Sequence, residues 1–115
     1  MDLCRAILLA VEARDPSTPR TTPLNVPDYD NDTVLYHLEL LNDAGLVKVC
    51  DFSSMNKRDI RVERLTWDGH EFLDASRDQT RWATAKQRLG NGFNNATFGV
   101  LQAVLNKLVL NEIGL

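Results

Sequence analysis

A helix that is forced to stop and run on as a strand narrows what a small chain can become, and NDTVLYHLELLNDAGLV, residues Asn31 to Val47, is such a stretch. Asp30 and Asn31 are both good N-caps, because a short side chain can accept from the free backbone N–H groups of a first turn. Val34, Leu38 and Leu41 recur at helical spacing, with Leu35 at the margin, and mark one apolar face. Gly45 is the expected stop, since glycine enters the left-handed region without a Cβ penalty. Leu46 to Phe52 then reads as a strand. Ser53 to Asp59, SSMNKRD, is polar and turn-rich, and Ile60 to Thr66 reads as the returning strand. The two runs form a hairpin with a loop longer than a tight turn.

The flanks are helical. Asp2 to Ala13 carries Leu3, Ile7, Ala10 and Val11 at helical spacing, with Asp2 favouring its N-terminus. Arg14 to Asp30 holds all four prolines, Pro16, Pro19, Pro23 and Pro27. Proline breaks helix interiors and biases its predecessor toward extended geometry, so a long loop is expected, with a short strand at Thr22 to Val26. A second helix of a helix-turn-helix would have to fit here, and only a single turn has room. After the hairpin, Asp68 with Glu71 three residues later reads as a capping box for a helix from Gly69 to about Arg77. Thr80 to Leu89 is a further helical piece, GNGFNN interrupts it, and Thr97 caps a last helix from Phe98 to about Glu112. No internal repeat appears.

The fold class that follows is mainly α with a small β-hairpin. Its core is expected to be a winged-helix, or winged helix-turn-helix-like, unit over residues 1–78, with the wing hairpin at about 46–66. Residues 79–115 are a helical C-terminal extension, and the whole is one small domain of 115 residues.

YHLELLNDAGLV resembles the recognition-helix end of bacterial winged-helix regulators, and RLTWDGHEFLD resembles the element that follows their wing. Taken with MDLCRAILLAVE and VPDYDNDTVLYHLELLNDAGLV, these segments look like the domain-of-unknown-function family 2513, whose members are small bacterial proteins and often prophage-encoded. The resemblance covers nearly the whole chain and implies a winged-helix-like fold. It implies no activity, and fold analogy supplies none.

Charge must therefore be read region by region. The net charge is −3, where a dedicated DNA binder usually shows a basic domain. Between Asp28 and Ala44 there are five acidic residues and no Lys or Arg. On a wheel of about 100° per residue, the face opposite Val34, Leu38 and Leu41 collects Asp32, Tyr36, Glu39 and Asp43, with Thr33 and Leu40 at its edge. A helix that reads DNA needs Arg, Lys, Asn or Gln there, and phosphate contacts need cations. A tyrosine and a leucine among carboxylates suit a protein partner instead. A plain solvated surface, or cover by the proline-rich loop, is the other reading of this face.

The cations lie elsewhere. Lys48, Lys57, Arg58, Arg61 and Arg64 are on the hairpin, and Arg77, Arg81, Lys86 and Arg88 follow it. The hairpin also holds Asp51, Asp59 and Glu63, so its excess is small. Its tip, MNKRD, has the charges to reach a phosphate, yet charges that block edge pairing are the more ordinary use of such residues. Two binding classes are carried forward. One is a DNA-associated regulator of phage, prophage or mobile-element origin that binds double-stranded DNA through Lys48, Lys57, Arg58, Arg61 and Arg64. The alternative is a protein–protein adaptor that uses Asp32, Tyr36, Glu39, Leu40 and Asp43 without DNA.

Catalysis is not expected. His37 and His70 stand alone, Cys4 and Cys50 lie in no CxxC or zinc spacing, and GNG at Gly90 to Gly92 precedes no Lys-Ser/Thr. No metal, cofactor or small-molecule site is evident. The cysteines read as free buried thiols of a reducing compartment, and no apolar run approaches the ~20 residues that span a bilayer. A cytoplasmic protein is the expectation. Trp67 and Trp82 read as core anchors, with Trp67 packing across the first helix.

The C-terminal FGVLQAVLNKLVLNEIGL is apolar on several sides. Phe98, Leu101, Leu105 and Leu108 form one stripe, while Val100, Val104, Val109 and Leu110 widen it. A monomer's surface helix shows one apolar stripe. A homodimer through Phe98, Leu101, Leu105 and Leu108 is the economical expectation. Internal cover by the first helix and Thr80 to Leu89 is the alternative.

Overall fold

The computed structural model describes residues 2–14, 17, 24 and 26–114. Along them run α1 (Asp2–Glu12), α2 (Asn31–Asp43), β1 (Val47–Asp51), β2 (Ile60–Leu65), α3 (Trp67–Ser76), α4 (Gln79–Leu89) and α5 (Phe98–Glu112). A 3₁₀ turn, Gly90–Asn95, separates α4 from α5. The protein is thus mainly helical with a two-stranded antiparallel hairpin, an order compatible with a winged-helix-like core. The chain divides into two compact units, Asp2–His70 and Glu71–Leu115, with the boundary inside α3.

In the first unit, Asp30 caps α2 by accepting from the Thr33 N–H at 2.7 Å. The other end is closed by Gly45 at φ +79°. Gly45 N–H donates to Asn42 O and Leu46 N–H donates to Leu41 O, both at 3.0 Å. That pair of bonds satisfies carbonyls the last turn leaves open. It also turns the chain so that Leu46 and Val47 enter the core. β1 pairs with β2 with Val47 opposite Leu65 and Lys48 opposite Arg64, then slips through a bulge to place Val49 opposite Val62. Val47, Val62 and Leu65 face inward. α1 packs on α2 and β2 with Leu3, Cys4, Ile7 and Leu8 buried. Beyond its end, the Arg14 guanidinium donates to Val62 O at 2.8 Å. The short strand expected at Thr22 to Val26 lies outside the described residues, apart from Leu24 and Val26.

α3 begins earlier than its expected capping box. Its cap is Thr66, not Asp68: Thr66 Oγ1 accepts from Gly69 N–H at 3.0 Å and donates to Gly45 O at 2.6 Å. Thr66 N–H donates to Leu46 O at 3.0 Å. One threonine therefore joins the end of α2, the end of β2 and the start of α3. A Cβ on Gly69 would run into the Leu46 carbonyl oxygen, so only glycine allows this approach. The LTWDG segment is a packed corner. The early start also overturns the expected place of Trp67. It occupies the first position of α3, 77% exposed, instead of packing across α1.

In the second unit, Trp82 is buried edge-on to Phe93 at 5.5 Å, as an anchor should be, and Phe72 meets Phe98 at 5.3 Å. Arg81 grips Glu112 through Nη2 at 2.6 Å and Nε at 3.2 Å. Its Nη1 donates to Ala75 O at 3.0 Å. This one guanidinium ties the start of α4 to the ends of α3 and α5. Leu101, Leu105 and Leu108 are buried within a single chain, and Phe98 is half-buried. The leucines assigned to a dimer contact are therefore already covered, because α5 is an internal helix along that stripe. The large apolar residues left outside are Val100 and Leu110 on α5 and Ile113 just after it.

Candidate interaction surface of α2 and the hairpin

α2 turns Val34, Leu35, Leu38 and Leu41 into the core, and its other side follows from that rotation. Asp32, Tyr36, Leu40 and Asp43 are exposed, Tyr36 at 55% and Leu40 at 38%. Asp28 and Asp30, just before the helix, are exposed too. Asp30 holds its carboxyl below the usual range through hydrogen bonds from Thr33, so the N-terminal end of this face stays anionic under ordinary conditions. His37 bends back into its own helix: Nδ1 lies 2.9 Å from Thr33 O, and the ring meets Tyr36 edge-on at 5.6 Å.

Glu39 breaks the pattern, because it is matched by a cation from the hairpin. Arg58, in the loop between β1 and β2, forms an ion pair with Glu39. The acidic face and the basic tip, separate surfaces in the sequence, meet at this point. A groove of about 130 Å³ lies beside it, floored by Val34, Leu35, Leu38 and Ile60 and edged by Lys57 and Arg61.

The remaining hairpin cations fall into two groups. Arg61 is committed: its Nη2 lies 2.8 Å from Asp59 Oδ2, and its guanidinium stands 4.9 Å over the Phe52 ring. Asp59 is correspondingly held below the usual carboxylate range, first by the hydrogen bond from Arg61. Lys48 and Arg64 sit opposite each other across the strands and are exposed, Arg64 also donating to Leu65 O at 3.1 Å. Lys57 is exposed at the tip. Outside the hairpin, Arg77 pairs with Asp74 at 2.9 Å, Arg81 with Glu112, and Lys86 lies over Phe93. Of the five hairpin cations that suggested phosphate contacts, Arg58 and Arg61 are held in ion pairs, while Lys48, Lys57 and Arg64 are exposed.

Among the exposed apolar residues that escaped the sequence reading are Met55 at the hairpin tip, Phe52 beside it, and Trp67. Once Thr66 is recognised as a cap, the position of Trp67 in the first turn of α3 is the signal that would have placed it outside. Met55 sits in a turn-rich loop, where a lone methionine has nothing to pack on. Cys4 is buried, which pushes its thiol up, and Cys50 is half-buried, both as free thiols. Among the described residues no helix is long and apolar enough to cross a membrane.

Residues 1–92 match the family model described as Hypothetical protein (DUF2513). The chain belongs to this family. An Uncharacterized protein of Haemophilus influenzae is 32% identical over 108 residues, 94% of this chain and 92% of that one. No solved structure matches. The DUF2513 segment takes in the Thr66–Gly69 corner, the outer face of α2 and the hairpin, and it stops short of α5. The candidate surface therefore lies wholly within the part of the chain that defines the family.

Proposed function

We propose that this DUF2513 protein is a non-enzymatic binding module that takes a protein partner on the outer face of α2. The observation that carries the reading is the placement of Arg58 on Glu39. It directs a tip cation onto the helix, while Tyr36 and Leu40 stay outside. Tyrosine and apolar residues at the centre of a polar rim are the composition of protein interfaces. Affinity for DNA rests instead on free cations facing phosphates. The engagement of His37 in its own helix and the burial of Cys4 support a structural use of two residues that chemistry would need exposed.

A DNA-associated regulator is the second reading, and one observation favours it. Lys48 and Arg64 are like charges directly opposite on an exposed hairpin face, an arrangement that is unfavourable unless an anion bridges it. The two readings separate in two measurements. A partner recovered from the native host should be lost when Tyr36→Ala and Leu40→Ala are combined, and its retention would remove the α2 face from the site. Duplex binding should be weak, with a shallow dependence on salt. A log K that falls by several units per log unit of salt would instead favour the hairpin.

A further inference from the structure

We propose that the Arg58–Glu39 ion pair is an autoinhibitory contact, in which the α2 carboxylate holds the place of a nucleic-acid phosphate at the hairpin tip. This goes beyond the partner reading but starts from the same ion pair, and its test reads duplex binding where that of the partner reading reads capture of a protein.

The tip is a built structure. Phe52 N–H donates to Asp59 O at 2.8 Å and Ser54 N–H to Lys57 O at 2.7 Å. Asp59 N–H donates to Ser53 Oγ at 2.9 Å, and Ser53 N–H to Asp51 Oδ1 at 2.8 Å. These bonds fix where the Arg58 backbone lies, and the side chain crosses from there to α2. Its ion pair is with the single acidic residue near the middle of the helix, while Asp51, nearer in sequence, feels Arg58 only as a neighbouring charge. Asp59 is already occupied by Arg61. Guanidinium forks match carboxylate and phosphate oxygens alike, so a carboxylate in this position is a competitor for a phosphate.

The pair is also easy to exchange. Arg58 is 46% exposed and Glu39 41%, and ion pairs that open to water are weak and screened by salt. Removing Glu39 would leave Arg58 beside Lys57 at the tip, on a hairpin whose Lys48 and Arg64 already face outward. The same exchange links the two faces. A cation that binds Glu39 frees Arg58, and an anion that binds Arg58 frees Glu39, a coupling that must be reciprocal.

The test is duplex DNA binding by fluorescence anisotropy across a salt series, with the full chain and four variants. Glu39→Gln should tighten binding about two- to five-fold, the span of an exposed pair. It should also steepen the log–log salt slope by about 0.9, one phosphate contact. The gain should vanish in Glu39→Gln with Arg58→Gln, while Arg58→Gln alone should leave binding near wild type. Asp43→Asn removes the same charge from the same helix without touching Arg58, and should gain less. The proposal is overturned by no gain in Glu39→Gln, by an equal gain in Asp43→Asn, or by a gain that survives loss of Arg58. It is overturned equally if Glu39→Gln weakens a protein partner and leaves duplex binding unchanged, since Glu39 then belongs to the partner site.

Discussion

Leu105 and Leu40 both lie on helices with an apolar stripe in sequence, and they meet opposite fates. Leu105 on α5 is fully buried, in line with Leu101 and Leu108. Leu40 on α2 stays at the surface, one turn from Tyr36, although Leu38 and Leu41 on either side are buried. The arginines differ in the same way. Arg81 is 13% exposed, forked on Glu112, and shared with a backbone carbonyl. Arg58 makes a single pair in the open. The helices of the second unit use their conspicuous residues to hold themselves together. α2 and the hairpin keep theirs where a second molecule can reach them. The same residue type is enclosed by the fold in one region and left at the surface in the other.

Core truncation should show that contrast at its widest. Leu105→Ala is expected to destabilise by roughly 2–5 kcal/mol, through lost burial and the cavity left behind. Leu40→Ala should stay within about 0.5 kcal/mol of wild type, as surface changes do. Urea unfolding of the two variants measures both, and an equal loss would erase the distinction between the regions. Gly69→Ala comes next. A methyl group against the Leu46 carbonyl must displace backbone, and overpacking of this kind destabilises by roughly 1–3 kcal/mol. An unchanged midpoint would mean that the Thr66 corner is loose. Smallest is the arginine comparison. Arg81→Ala removes the fork on half-exposed Glu112 and the bond to the Ala75 carbonyl, and should destabilise by about 1 kcal/mol. Arg58→Ala should destabilise by less than about 0.5 kcal/mol, an effect further reduced by salt. A larger loss at Arg58 than at Arg81 would make the hairpin pair a structural strut and end its role as an exchangeable contact.

Local rules were enough where a single residue decides the backbone. Gly45 stops α2 because its φ is positive, Asp30 caps it, and Thr97 caps α5. These are short-range steric and hydrogen-bond effects, so the order of helices and hairpin is legible without coordinates. The start of α3 was misplaced because two caps compete within three residues. Asp68 makes the better pattern, but Thr66 is where the returning strand ends and where Gly45 O and Leu46 O are in reach. Trp67 went astray with it.

The sequence by itself determined the elements, the core face of α2 and the uneven spread of charge, because each depends on spacing and residue type within a few turns. Only the tertiary structure decided three further matters: that Arg58 reaches Glu39 across 19 positions of chain, that Arg81 belongs to Glu112, and that the leucine stripe of α5 is covered within one chain. Such pairings depend on which surfaces are brought together when the apolar faces are buried. Burial is non-directional, and an apolar pattern states that a face must be covered without stating by what.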